Sequence, residues 1–178
     1  MHKRQRGAAL MVTLVLMILL MVIGIAGYNM TTLQGKIETN REENNLALTL
    51  AESALRAGEE EIVADQATGT GVYTLTSSTD TEQAQWNKAA TWTGNNTDQL
   101  TRTFETQLDD IDPRLKVQPR YIIEVLPEPD SFKEANSIVE GHAPRERMEV
   151  FRITSEGTGP SGTLKQYLQS TYSRIVTE

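Results

Sequence analysis

The chain of 178 residues contains no cysteine. Disulfides, thiolate nucleophiles and cysteine-bound metals are therefore excluded, and any domain must hold together by packing and hydrogen bonding. Histidine is almost as scarce, with only His2 and His142. A Ser/His/Asp triad would have to recruit His142 from Glu140-Gly-His-Ala-Pro144, a polar stretch that reads as a loop. An exposed loop histidine is the simpler reading, and no catalytic residue, metal ligand or cofactor is assigned.

Positive charge is also in short supply. Lys and Arg number 17 against 24 Asp and Glu, a net charge of −7. Lys3, Arg4 and Arg6 sit in the leader, so the rest of the chain carries −7 − 3 = −10. Without a basic stripe to neutralise phosphates, nucleic acid is not a predicted partner. Asp109, Asp110 and Asp112 offer the clustered oxygens that calcium favours, but their spacing matches no EF-hand loop. They read as a solvated turn before Pro113.

One long apolar run is present. After Met1-His-Lys-Arg-Gln-Arg-Gly7, residues Ala8 to Gly27 carry no charge and Thr13 as the single polar side chain. About 20 such residues cross a bilayer as a helix. The cations ahead of the run place the N-terminus in the cytoplasm and the rest of the chain across the membrane, by the positive-inside rule. Hydrophobic content of 38% and a mean hydropathy of −0.40 fit one soluble domain on a short anchor.

Helical patterning continues beyond the apolar run. Leu33, Ile37, Ala47, Ala51, Ala54, Leu55, Gly58 and Ile62 recur at helical spacing, with Lys36, Glu38, Arg41, Glu42 and Glu43 on other faces. A single helix from Ala8 to about Ala64 would be roughly 85 Å long. The packing stripe is assigned to Ala47, Ala51, Ala54, Leu55 and Ile62, and its small alanines leave room for a sheet to come close to the helix axis. Gly24, Gly27 and Gly35 are the expected weak points, each costing up to about 1 kcal/mol relative to Ala.

Residues 67–118 read as a variable loop with short helices at Thr81–Ala90 and Asp98–Asp109, anchored by Trp86, Trp92, Phe104, Leu108 and Ile111. The last third, 119–178, reads as strands: Arg120–Leu126, Glu149–Ser155 and Leu164–Val176, with a polar insertion at 130–147. The Gly/Pro-rich segment Glu156–Gly162 predicts an antiparallel hairpin between the last two. The expected fold class is α+β, with a long N-terminal helix (8–27 apolar, 28–66 amphipathic) packed on a small antiparallel β-sheet in a lollipop-like arrangement.

A cleaved secretory signal is one reading of the N-terminus, with Gly24-Ile-Ala26 as a tolerable cleavage site, but the run exceeds the usual 7–15 residues. An ordinary bitopic anchor on a periplasmic domain is another. The third rests on a resemblance. A basic leader, Gly7 and an apolar helix are similar to the signal of type IV pilins and pseudopilins. Asn45-Leu-Ala-Leu-Thr-Leu-Ala-Glu-Ser-Ala-Leu-Arg-Ala-Gly-Glu59 resembles the PilX family of minor pilins. So do Pro119-Arg-Tyr-Ile-Ile-Glu-Val-Leu126, Phe151-Arg-Ile-Thr154, Gly157-Thr-Gly159 and Leu168-Gln-Ser-Thr-Tyr172. The likeness covers both ends of the chain and is weak across Thr68–Gln118.

The resemblance implies a leader of residues 1–7, cut by a prepilin peptidase after Gly7, and a mature chain starting at a methylated Ala8. It also implies a subunit held in the inner membrane and then built into the pilus, at its tip. The implied partners are other minor pilins, the major pilin, a PilY-type tip adhesin and the inner-membrane assembly platform. Most pilins carry glutamate at the fifth mature position, where this chain has Val12. Val12 then marks either a tip subunit with no neighbour above it or simply a better membrane helix. A tip pseudopilin of a type II secretion system is the related alternative, and a membrane-tethered hydrolase a distant third.

Overall fold

The computed structural model describes residues 5–75, 84–93, 100–129 and 146–177. The element order is α1 (Gln5–Val63), β1 (Val72–Thr74), α2 (Ala89–Trp92), β2 (Arg102–Thr103), α3 (Leu108–Ile111), β3 (Arg120–Leu126), β4 (Glu146–Thr158) and β5 (Lys165–Thr177). The chain divides into two compact units, residues 1–42 and 43–178.

The described residues of the first unit form the leading part of α1. It contains no proline, and it passes Gly24, Gly27 and Gly35 without a break. The hydroxyls of Thr31 and Thr39 donate to the carbonyls of Gly27 and Gly35, each at 3.0 Å, giving two of the glycine carbonyls a second partner. Thr13, the polar residue in the apolar run, donates to the Leu10 carbonyl at 2.9 Å. Its hydroxyl is thereby satisfied without water, as a lipid-facing helix requires.

The second unit is α+β: the rest of α1 lies on a mixed sheet of order β1-β3-β4-β5, with β2 also on β3. β4 and β5 form the antiparallel hairpin, Glu146 opposite Thr177 and Thr158 opposite Lys165, in unbroken register. The turn is tighter than the sequence pattern predicts, because Glu156, Gly157 and Thr158 belong to β4. Gly159 N–H donates to the Leu164 carbonyl and Gly162, at φ +74°, completes the reversal.

The 67–118 segment departs most from expectation. Of the helix expected at Asp98–Asp109, residues 98–99 lie outside the described residues; in the remainder Arg102–Thr103 pairs antiparallel with Tyr121–Arg120, and helical geometry begins only at Leu108–Ile111. Of the helix expected at Thr81–Ala90, residues 81–83 lie outside the described residues, and in the remainder helical geometry begins only at α2, Ala89–Trp92. β1 runs parallel to β3, so the sheet is mixed rather than wholly antiparallel. Both additions follow from β3, which has room for partners along its edge and whose residues 120–124 are all buried. Of the polar insertion expected at 130–147, residues 130–145, including His142, lie outside the described residues, and Glu146 and Arg147 belong to β4.

Register divides the sheet's side chains between two faces. Tyr121, Ile123, Val125, Phe151, Ile153, Ser155, Leu168, Ser170 and Tyr172 share the face toward α1. There Ala54, Ile62, Tyr121, Ile123, Phe151 and Ile153 form the core. The helix sits very low on this face. A Cβ built at Gly157 would fall on the Ala47 carbonyl and the Ala51 nitrogen, and one at Gly58 would meet Ile153 at 2.7 Å. Ser155 Oγ donates to the Ala51 carbonyl at 2.8 Å. At the helix end, Asp65 takes the left-handed conformation (φ 57°) and Arg174 reaches from β5 to the Ile62 carbonyl and to Asp65.

Because no side chain fits between α1 and β4 at this point, Gly157→Ala is expected to destabilise the protein by about 1–3 kcal/mol through overpacking. Thermal unfolding followed by circular dichroism would check it; an unchanged midpoint would show that the contact relaxes freely.

Candidate assembly segment and the outer face of the sheet

Every apolar side chain of α1 from Leu10 to Ile25 is bare, between 52% and 75% exposed. A helix that is apolar all round needs lipid or other helices as its surroundings. α1 is the one helix among the described residues that is long and apolar enough to cross a membrane. Val12, at 58% exposed, lies within this surface, while Gly7 and Ala8 lie in the first turns of α1.

Farther along the helix, Ala47, Ala51, Ala54 and Ile62 are fully buried and Leu55 is half-buried. Leu50 is fully buried as well. The stripe assigned from sequence omits it, although it lies on the same helical face, three residues after Ala47 and four before Ala54. Leu33 and Ile37, which recur at the same helical spacing ahead of the stripe, are exposed.

The face of the sheet away from α1 carries charge where a core would normally be apolar. Glu156 is almost wholly buried and accepts from Arg120, from Tyr167 Oη at 2.6 Å and from Lys165 Nζ at 3.1 Å. Glu124, also buried, accepts from Arg152 at 2.7 Å and from the Gln85 backbone at 2.6 Å. Burial opposes ionisation of Glu156, but the hydrogen bonds from Tyr167 and Arg120, with the Arg120 charge and Lys165, hold its pKa below the ordinary value. The Tyr167 hydroxyl is pushed up by burial and by donating to that carboxylate.

These contacts fasten the segment of residues 84–93 over the sheet. Arg120 donates to the Trp92 carbonyl at 2.9 Å, Trp92 Nε1 to the Trp86 carbonyl at 2.8 Å, and the Arg152 guanidinium lies 6.0 Å from the Trp86 ring centre. The Trp92 and Tyr167 rings meet edge to face at 5.4 Å. Of these side chains the sequence pattern singles out only the two tryptophans, as anchors, because Glu156 reads as part of the turn. The available signal for the rest is alternation: Arg152 and Thr154 are polar against Phe151 and Ile153, and Glu156 continues the polar side.

Among the described residues no group of acidic or histidine side chains is arranged to hold a metal ion. Asp112, part of the acidic turn, is engaged by Arg114, whose hydrogen bonds lower its pKa to about 2.

Comparison with known families gives two matches: residues 6–56 match the PilX N-terminal family, and residues 63–174 match the family described as type IV pilus assembly protein PilX C-term. No curated protein and no solved structure matches the chain.

The Glu156 cluster has a definite pH signature. Because the folded pKa is depressed, its stabilisation is complete above the unfolded value near 4.5 and disappears as pH falls through the folded value. Glu156→Gln strips Arg120 of a buried counter-charge and is expected to cost about 3 kcal/mol at neutral pH. Melts of both proteins at neutral pH and well below that unfolded value should show the gap closing on acidification; a constant gap would overturn the electrostatic account.

Proposed function

The chain belongs to the PilX family of type IV pilus assembly proteins, and from that premise we propose that it is a minor pilin that takes a place at the pilus tip and helps to prime assembly. It has no catalytic role in this reading. Residues 1–7 are a leader removed by the prepilin peptidase after Gly7, and the mature chain starts at a methylated Ala8. Lys3, Arg4 and Arg6 hold the leader in the cytoplasm while the domain stands in the periplasm, so the subunit is stored in the inner membrane.

The observation that carries the reading is the bare apolar surface of α1 from Leu10 to Ile25. Lipid tails and the side chains of neighbouring helices are similarly apolar, so moving this surface from bilayer to helix bundle changes its solvation little. The same segment thus serves as membrane anchor and as assembly element. Val12 supports the position at the tip. A carboxylate there is useful only beside the terminal amine of another subunit, and an unpaired charge in a low-dielectric bundle is costly. A subunit with nothing above it does better with valine. Other minor pilins, the major pilin, a PilY-type tip adhesin and the inner-membrane assembly platform are the partners in this scheme.

Mass spectrometry of the mature N-terminus is expected to find methylated Ala8; an intact Met1, or a terminus near Gly27, would refute the pilin reading. Val12→Glu is expected to reduce pilus initiation or move the subunit off the tip. Unchanged piliation together with unchanged position, counted by immunogold labelling, would remove the positional argument.

A further inference from the structure

Two cavities open on the outer face of the sheet and share Trp92 as a wall. One, of about 590 Å³, is bordered by Lys116, Arg120 and Lys165 together with Gln118 and Thr158. The other, of about 330 Å³, is bordered by Trp86, Trp92, Tyr167, Asn87 and Thr154. We propose that together they form a groove for a peptide segment of another pilus subunit, an extended stretch that carries carboxylates next to an aromatic side chain. The inference rests on the chain's being a pilus subunit and names the chemistry of one of its contacts.

Charge complementarity argues for the carboxylates. Three cations border the larger cavity, and the described lining includes no acid. Glu156, buried beside Arg120 and Lys165, offsets one of them, which leaves a cationic site on a chain of net charge −7. Lys116 is exposed at the rim, so its ammonium is available to an incoming anion as well as to the Pro113 carbonyl that it bonds at 3.0 Å. The smaller cavity argues for the aromatic group. Trp86 and Tyr167 remain 38% and 47% exposed around it, and their rings offer edges and faces to a planar side chain.

The walls are already in place. The Trp92–Trp86 hydrogen bond, the Arg120 bond to the Trp92 carbonyl and the Glu124 bond to the Gln85 backbone hold the segment 84–93 by contacts within the protein. A site ordered beforehand spares the entropy of ordering on binding. An anionic oligosaccharide would meet the cations and could stack a sugar ring on the aromatics, and it is the competing occupant that a titration separates.

Trp86 and Trp92 are the only tryptophans in the chain, so intrinsic fluorescence reports from the groove itself. The full-length protein in nanodiscs would be titrated with a peptide of alternating aspartate and phenylalanine, with its asparagine analogue, and with a uronic-acid oligosaccharide. The acidic peptide is expected to shift the emission saturably, and Lys116→Glu to weaken it about fivefold, the effect of one exposed ion pair. Raising the salt about tenfold should weaken it similarly. An equal response to the asparagine peptide, no response at millimolar peptide, or affinity unchanged by both Lys116→Glu and salt would overturn the groove. A response to the oligosaccharide alone would overturn the peptide assignment. A protein processed at Gly7 and incorporated into pili, yet silent to the acidic peptide, would sink this inference and leave the pilin reading standing.

Discussion

The approach of α1 to β4 at Gly157 is the constraint on which the domain depends. Where Ala47 and Ala51 face Gly157, neither element presents a side chain larger than a methyl group, and the backbones meet almost directly. Ser155 then bonds a helix carbonyl from within the sheet, which is possible only at that separation. With the helix set this low, Ala54 and Ile62 reach the apolar face of β3 and β4 and close the core, and Leu50 is enclosed as well. A domain without cysteine has no covalent substitute for such packing.

Closeness on one face has a counterpart on the other. Since β3 and β4 are covered on both sides, the residues facing away from the helix are buried too, and these include Glu124 and Glu156. Buried carboxylates persist only when their charge is answered, and here Arg152, Arg120, Lys165 and Tyr167 answer it. A hydrophobic layer of equal volume could be at least as stable. What the ionic layer adds is placement: it ties the tryptophan-bearing segment 84–93 to one position on the sheet, and so shapes the two cavities there.

The helix itself obeys different rules along its length. In the apolar run its only hydroxyl bonds back to a carbonyl one turn earlier, which satisfies it in apolar surroundings. Beyond Glu43 its small residues answer to the sheet. The polar stretch between, with Thr31, Thr32 and Thr39 bonded back to earlier carbonyls, keeps helical geometry without help from a core. Continuity through three glycines thus owes more to unbroken backbone hydrogen bonding than to residue propensity.

Local pattern makes much of this legible. The apolar run from Ala8, the helix that extends it, β3 at Arg120–Leu126 and the β4–β5 hairpin follow from periodicity sustained over many residues. β1 and β2 do not, because strands of three and two residues have no period and exist only because β3 offers them an edge. Gly157 has the look of a turn residue, yet it lies directly against the helix backbone. Leu33 and Leu50 look equally fit for a helical stripe, but one is bare and the other enclosed. By itself the sequence determined the membrane-capable helix and the hairpin, since both arise from interactions between near neighbours in the chain. Which helix residues are buried, and that two glutamates lie inside with their cations, was decided only by tertiary structure, because those outcomes depend on pairings between segments far apart in the chain.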